Sequence, residues 1–223
     1  MLAIRNQIGI ERQQVLQTIG YDADCEPPVR AVSLVNEYLE NANQLVNVSY
    51  SYIIRDVEWV HNSITFIEGS IIFKSQVIAR LLKRCEKVAV FALTIGNHLE
   101  EMVCQLARDK FVLQASVLDA VGSIAVEKAA DFVQGRINEL ASAEGFCTSR
   151  RFSPGYCDWN IGQQRMLFWA LDGNTVGIRL TGRCLMIPQK SISGIIGIGS
   201  CSSNIENYNP CSTCRKQDCP GRR

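Results

Sequence analysis

One short segment of this sequence combines residue types that bind small charged molecules. It reads Arg150-Arg151-Phe152-Ser153-Pro154-Gly155-Tyr156. An arginine presents a planar donor fork to a carboxylate or phosphate, a glycine lets backbone approach a ligand closely, and a tyrosine adds a flat face and a hydroxyl. The segment therefore predicts a ligand-binding loop, although the string alone is also compatible with an ordinary turn.

The last part of the chain holds a second candidate site, made of cysteines. Its four thiols have the spacing C-x9-C-x2-C-x4-C and are Cys201, Cys211, Cys214 and Cys219. Four thiolates satisfy either a tetrahedral zinc ion or an iron–sulfur cluster, and the spacing does not choose between them. The tail is predicted to bind metal, with a reduced tail without metal as the alternative.

Composition narrows the class of protein and its partners. The 223 residues are 47% hydrophobic, and 23 Lys and Arg nearly balance 22 Asp and Glu. The hydrophobic content is enough to form a folded core. The near balance of positive and negative charges gives no overall electrostatic field that would attract nucleic acid or anionic lipid. No apolar run approaches the roughly 20 residues that span a bilayer, and the charged start is unlike a signal peptide. We therefore expect a cytoplasmic protein in which thiols are reduced rather than paired in disulfides.

The hydrophobic pattern predicts helices and strands in mixed order. Helical spacing of apolar residues predicts helices over 7–19, after Pro27-Pro28, and over 74–84, 97–108, 110–141 and 161–171. Runs of β-branched and aromatic residues predict short strands from Val48, then SITFIE, SIIF and KVAVFALTI, with two more strands over 175–199. Residues 146–160 are predicted to be a loop.

This order favours an α+β fold with a twisted, mainly antiparallel sheet and a long helix, rather than a doubly wound parallel sheet. The predicted division is an α+β domain over 1–199 and a cysteine-rich, metal-binding tail over 200–223.

From Arg151 to about Gly199 the sequence resembles the S-adenosylmethionine-binding activation domain of cobalamin-dependent methionine synthase, and it looks closest to free-standing relatives of that domain. The resemblance rests on the R-F-x-P-G-Y string, a short amphipathic helix, a Leu-Thr before Met186 and Pro188, and Ser191-Ile192-Ser193-Gly194. Upstream, Ala125 to Ala130 is similar to the family's helix whose glutamate faces the ligand. The paired tyrosines of the full-length enzyme are replaced here by isoleucines and glycines of 195–199.

The resemblance implies specific roles. Arg151 would pair with the carboxylate of S-adenosylmethionine, Glu127 would accept hydrogen bonds from the ligand, and Ser153, Gly155 and Tyr156 would form the remaining wall. The implied activity is reactivation of a partner's corrinoid, such as that of methionine synthase. One electron from a flavodoxin- or ferredoxin-type donor and the sulfonium methyl group would convert cob(II)alamin to methylcobalamin. The chain lacks the D-x-H-x-x-G string of many corrinoid proteins, so the partner would supply the cobalamin.

A second hypothesis assigns the protein to another class. In it the chain is an iron–sulfur or zinc protein that transfers electrons or binds partners in a corrinoid system, without tight binding of S-adenosylmethionine.

Overall fold

The computed structural model describes residues 9–22 and 25–212, which contain six α-helices and three 3-10 turns. The helices are α1 (Arg12–Thr18), α2 (Val29–Leu45), α3 (Gln76–Leu82), α4 (His98–Arg108), α5 (Val112–Ala143) and α6 (Gln164–Ala170). The 3-10 turn Ile161–Gln163 leads directly into α6. Two further 3-10 turns, Cys201–Ser203 and Pro210–Ser212, follow the last strand.

The strands form one large sheet and one small hairpin. The large sheet has the order β3-β2-β1-β4-β8-β5, and every neighbouring pair is antiparallel. Its strands are β1 (Ser49–His61), β2 (Ile64–Ile67), β3 (Ile71–Lys74), β4 (Lys87–Thr94), β5 (Phe146–Phe152) and β8 (Ser191–Ser200). The hairpin pairs β6 (Arg179–Leu180) with β7 (Met186–Ile187).

The central strand β4 separates two hydrophobic cores. Because side chains alternate along a strand, Ala89, Phe91 and Leu93 pack with α2, α4 and α5, while Val88, Val90 and Ala92 pack with α3 and α6. The strand is buried on both faces, which explains why it reads as a continuous apolar run. The sheet therefore lies between two helical layers, with α5 on one side and α6 on the other.

Most of the predicted elements are confirmed. The fold is α+β with a mainly antiparallel sheet and a long helix, and all six predicted helices are present within a few residues of their expected bounds. Of the helix predicted over 7–19, residues 7 and 8 lie outside the described part of the chain, and residues 9–11 are not helical.

Two predictions were wrong. Residues 146–152 are not a loop but the edge strand β5, which pairs with β8 alone. An edge strand needs only one buried face, so the arginines of this segment do not prevent pairing. Residues 175–187 are not one long strand, because Val176, Gly177 and Cys184 have positive φ and break it into the short hairpin β6–β7.

The described start of the cysteine tail packs on the folded body. Ile205 is completely buried in the α6-side core, and the Tyr208 hydroxyl donates a hydrogen bond to the Val77 carbonyl oxygen at 2.9 Å. Burial raises the pKa of the Tyr208 hydroxyl, which keeps it a donor. The division after residue 199 stays a prediction. Within the described residues, no helix is both long and apolar enough to cross a bilayer.

Candidate functional site

A cleft opens where β5 ends and β8 continues. The last pair between these strands is Phe152 with Ile195, so β8 residues 191–194 have no β5 partner along that edge. The cleft has a volume of about 660 Å³ and is lined by residues from α5, β5, the following loop, α6, β8 and the start of the tail. Four of the five residues predicted to bind ligand line it, namely Glu127, Arg151, Ser153 and Tyr156.

Arg151 and Glu127 meet at one end of this cleft. Arg151 Nη2 lies 3.4 Å from Glu127 Oε2, and Arg151 Nη1 lies 2.9 Å from Asp131 Oδ1. The two carboxylates occupy successive turns of α5, since they are four residues apart on one helix. The arginine side chain is only 16% exposed, whereas both carboxylates are more than half exposed. The result is a cation oriented by two anions that remain open to solvent.

The loop after β5 is held by contacts to the start of α3. The Asp158 carboxylate accepts hydrogen bonds from the Ser75 hydroxyl and from the backbone N–H groups of Gln76, at 2.6 Å, and Val77, at 3.3 Å. These donors belong to the first turn of α3 and the residue before it, where backbone N–H groups otherwise lack partners. Asp158 therefore ties residues 153–157 to a rigid element.

Gly155 shapes the loop instead of lining the cleft. Its φ is +98°, a backbone conformation that L side chains rarely adopt, and an added Cβ would lie 3.3 Å from Ile161 Cδ1. Its N–H donates to the Trp159 carbonyl oxygen at 2.7 Å. The neighbouring residue Tyr156 is 61% exposed and lines the cleft, where its aromatic face could contact a ligand.

The cysteines correct part of the metal prediction. Cys201 forms a disulfide with Cys147, which joins the end of β8 to the start of β5. The expectation that all thiols are reduced is therefore wrong for this pair, and in this structure Cys201 is not a thiolate that could bind metal. Cys211 lies at the cleft, together with Cys157 and Cys184.

The remaining two tail cysteines, Cys214 and Cys219, lie outside the described residues. Over 9–22 and 25–212, no group of three or more His, Cys, Asp or Glu side chains could hold a metal ion. The predicted metal site had four thiolates including Cys201; the part of it that rests on Cys211, Cys214 and Cys219 stays a prediction.

Sequence reasoning missed three residues that shape the site. Asp131 could have been found, because it lies one helical turn beyond Glu127. Asp158 and the buried Gln164 carry no local signal, since their partners are 82 and 29 residues away in the chain.

Comparison with known proteins supports the fold. No protein-family model and no curated protein matches the sequence. Among solved structures, the chain is similar to the crystal structure of the MetH reactivation domain bound to AdoHcy, with a TM-score of 0.62 over 88% of this chain and 72% of that chain. The sequence identity is 14%, so the likeness shows a shared fold.

Proposed function

We propose that this protein binds S-adenosylmethionine in the cleft beside Arg151 and Glu127, and that it delivers the methyl group to a partner's corrinoid. The observation that carries the proposal is the contact between these two residues. They are 24 positions apart, on β5 and α5, and each was assigned to the ligand from the sequence resemblance alone. Their meeting at a cleft is what such an assignment requires.

The fold supports the same proposal. The similar MetH reactivation domain was crystallised with AdoHcy, which is what remains of S-adenosylmethionine after methyl transfer. A shared fold does not carry a function by itself, so the argument depends on the charged groups of this chain.

The charges of the cleft suit this ligand. S-adenosylmethionine carries an ammonium, a sulfonium and a carboxylate. Arg151 would pair with the carboxylate in the geometry that guanidinium groups favour, and Glu127 would accept hydrogen bonds from the ligand. The exposed face of Tyr156 would lie against the ligand, where an aromatic ring also favours a cation. Ser153 would complete the wall, on a loop whose turn is shaped by Gly155.

The partner would be a corrinoid-dependent methyltransferase such as methionine synthase. Cob(II)alamin would take one electron from a flavodoxin- or ferredoxin-type donor, and the cobalt would then take the methyl group from the sulfonium. The products are methylcobalamin on the partner and S-adenosylhomocysteine in the cleft, so electrons and atoms balance. This chain would bind and orient the methyl donor, while the cobalt provides the reacting electron pair.

A reconstitution experiment tests the proposal. A methionine synthase that lacks its own activation domain is loaded with cob(II)alamin and mixed with this protein, S-adenosylmethionine and a low-potential reductant. We expect the visible spectrum to change to that of methylcobalamin, and to stay unchanged with the Arg151→Ala variant or without S-adenosylmethionine. An unchanged spectrum with the wild-type protein, for every corrinoid partner tried, would overturn the proposal.

One observation favours a second candidate function. Cys211, the first cysteine of the C-x2-C pair, lies at the same cleft as the proposed ligand site. A zinc ion or iron–sulfur cluster bound through Cys211 would therefore lie next to the proposed ligand site. In this alternative the protein transfers electrons or binds partners in a corrinoid system and does not bind S-adenosylmethionine tightly.

A further inference from the structure

A buried amide lies on the cleft wall away from the charged residues. Gln164, in the first turn of α6, is 2% exposed and lines the cleft. Its Nε2 donates a hydrogen bond to Ser193 Oγ, and Ser193 is also 2% exposed. A buried amide that is only partly bonded is costly, so such groups usually satisfy a neighbour or a ligand.

Part of the hydrogen-bonding capacity of this amide is unused. A primary amide has two N–H donors and one carbonyl acceptor. Ser193 takes one N–H group, and no other residue among those described bonds the side chain of Gln164. The carbonyl oxygen and the second N–H group remain as an adjacent acceptor and donor.

The amide and the guanidinium both line the cleft but lie on opposite faces of β8, Arg151 on the α5 side and Gln164 on the α6 side. Arg151 pairs with Ile196 on β8, and Ser193 lies three residues before Ile196 on the same strand. Three residues of strand span about 10 Å. A ligand that contacts both must be elongated and pass the edge of β8 left uncovered at 191–194, with an anionic group near Arg151 and a neutral hydrogen-bonding group near Gln164.

We propose that Gln164, supported by Ser193, is the residue that recognises the adenine base of the ligand. A glutamine amide pairs with the N6 amine and N7 of adenine through two parallel hydrogen bonds. Hypoxanthine, the base of inosine, presents acceptors at both positions, so neither orientation of the amide can satisfy both. The inference rests on the proposed function for the identity of the ligand, and it adds the residue that sets specificity for the base.

The test compares S-adenosylhomocysteine with S-inosylhomocysteine, which differ in the group at C6 and in the proton on N1, by calorimetry on the full chain. We expect the wild-type protein to bind the adenosyl compound at least about tenfold more tightly, because a buried group left unpaired penalises the wrong base. In Gln164→Met the adenosyl compound should bind more weakly, and the preference should disappear.

Two further variants keep the test decisive. Gln164→Met leaves the Ser193 hydroxyl buried without its partner, so the double variant Gln164→Met/Ser193→Ala removes both polar groups together and should fold normally. Gln163→Met is the matched control. The Gln163 amide oxygen accepts from the Lys74 N–H at 2.9 Å and does not line the cleft, so this variant should keep the preference.

The outcomes separate the inference from the proposed function. Loss of the base preference in the Gln164 variants, with the preference kept in Gln163→Met, supports the inference. A preference that persists in the double variant overturns it, while binding of the adenosyl compound leaves the proposed function intact. Binding of neither compound by the wild-type protein overturns both.

Discussion

Arg151 on β5 and Asp131 on α5 form an ion pair, with 2.9 Å between Nη1 and Oδ1. Glu127, one turn earlier on α5, contacts the other guanidinium nitrogen of Arg151 at 3.4 Å. One positive and two negative charges leave the trio with a net charge of −1. The guanidinium is therefore oriented before a ligand arrives, and the two carboxylates place local negative charge beside it, where a cationic sulfonium compound would bind.

Replacing Asp131 with asparagine should weaken the binding of S-adenosylmethionine more than the binding of S-adenosylhomocysteine. The variant brings the net charge of the trio from −1 to zero, and only the sulfonium compound has net positive charge. Because the Asp131 side chain is 65% exposed, screening keeps the effect small, at about two- to fivefold in the ratio of the two affinities. Calorimetry with both ligands measures this ratio.

The control for Asp131 is Asp119→Asn on the same helix. Asp119 also forms an ion pair, at 2.7 Å to Lys190 Nζ, but does not contact Arg151 or line the cleft. The ratio should be unchanged in this variant. An unchanged ratio in Asp131→Asn as well would show that the charge of the trio does not select the ligand.

Removing the Asp158 carboxylate, which anchors the loop, should lower the stability of the protein and weaken its binding of S-adenosylmethionine. Asp158→Ala takes the acceptor away from the Ser75 hydroxyl and from two N–H groups of α3. We expect a loss of about 1 kcal/mol in the free energy of unfolding, the usual effect of removing an acceptor at a helix N-terminus. Amide hydrogen exchange at Gln76 and Val77 should become faster. Unchanged exchange at these two positions would contradict the anchoring role.

Two glycine substitutions should change stability in opposite directions. An added Cβ at Gly194 would contact the Phe152 carbonyl oxygen and the Ser153 hydroxyl, so β5 and β8 would have to separate beside the cleft. At Gly135 in α5, nothing lies within 4 Å of an added Cβ. Gly194→Ala should lower the melting temperature, whereas Gly135→Ala should raise stability by about 0.5–1 kcal/mol. Equal effects in a thermal unfolding experiment would contradict this packing.

Metal in the tail is tested by elemental analysis of protein purified without oxygen. If Cys211, Cys214 and Cys219 bind an ion or cluster, metal content should fall sharply in Cys214→Ser. It should persist in Cys201→Ser, because Cys201 is joined to Cys147. Absence of metal from the wild-type protein, with the tail thiols all titratable, would remove the metal prediction. The visible spectrum distinguishes an iron–sulfur cluster from zinc.

The sequence predicts the elements of this fold well where the pattern is regular. The long apolar face of α5 and the uninterrupted apolar run of β4 have one reasonable interpretation each. β5 was missed because its middle residues, 148–151, are polar and its pairing partner, β8, lies about 50 positions later in the chain. Edge strands depend on such distant pairing rather than on local pattern.

The candidate site, like the fold, could be predicted from the sequence only in part. The resemblance singled out Arg151 and Glu127, and the fold brings them together. It did not reveal Asp158 or Gln164, because each acts through residues on another element. The disulfide between Cys147 and Cys201 was missed because the argument from redox compartment treated all ten cysteines alike.

Binding of S-adenosylmethionine by the wild-type protein and by Arg151→Ala tests the central claim most directly. The matched control is Arg136→Ala, since Arg136 lies on α5, pairs with Glu139 at 2.6 Å and does not line the cleft. Calorimetry should show one binding site in the wild type and in Arg136→Ala, and an affinity at least about tenfold weaker in Arg151→Ala. No heat of binding with the wild type, or equal affinity in Arg151→Ala, would contradict the account.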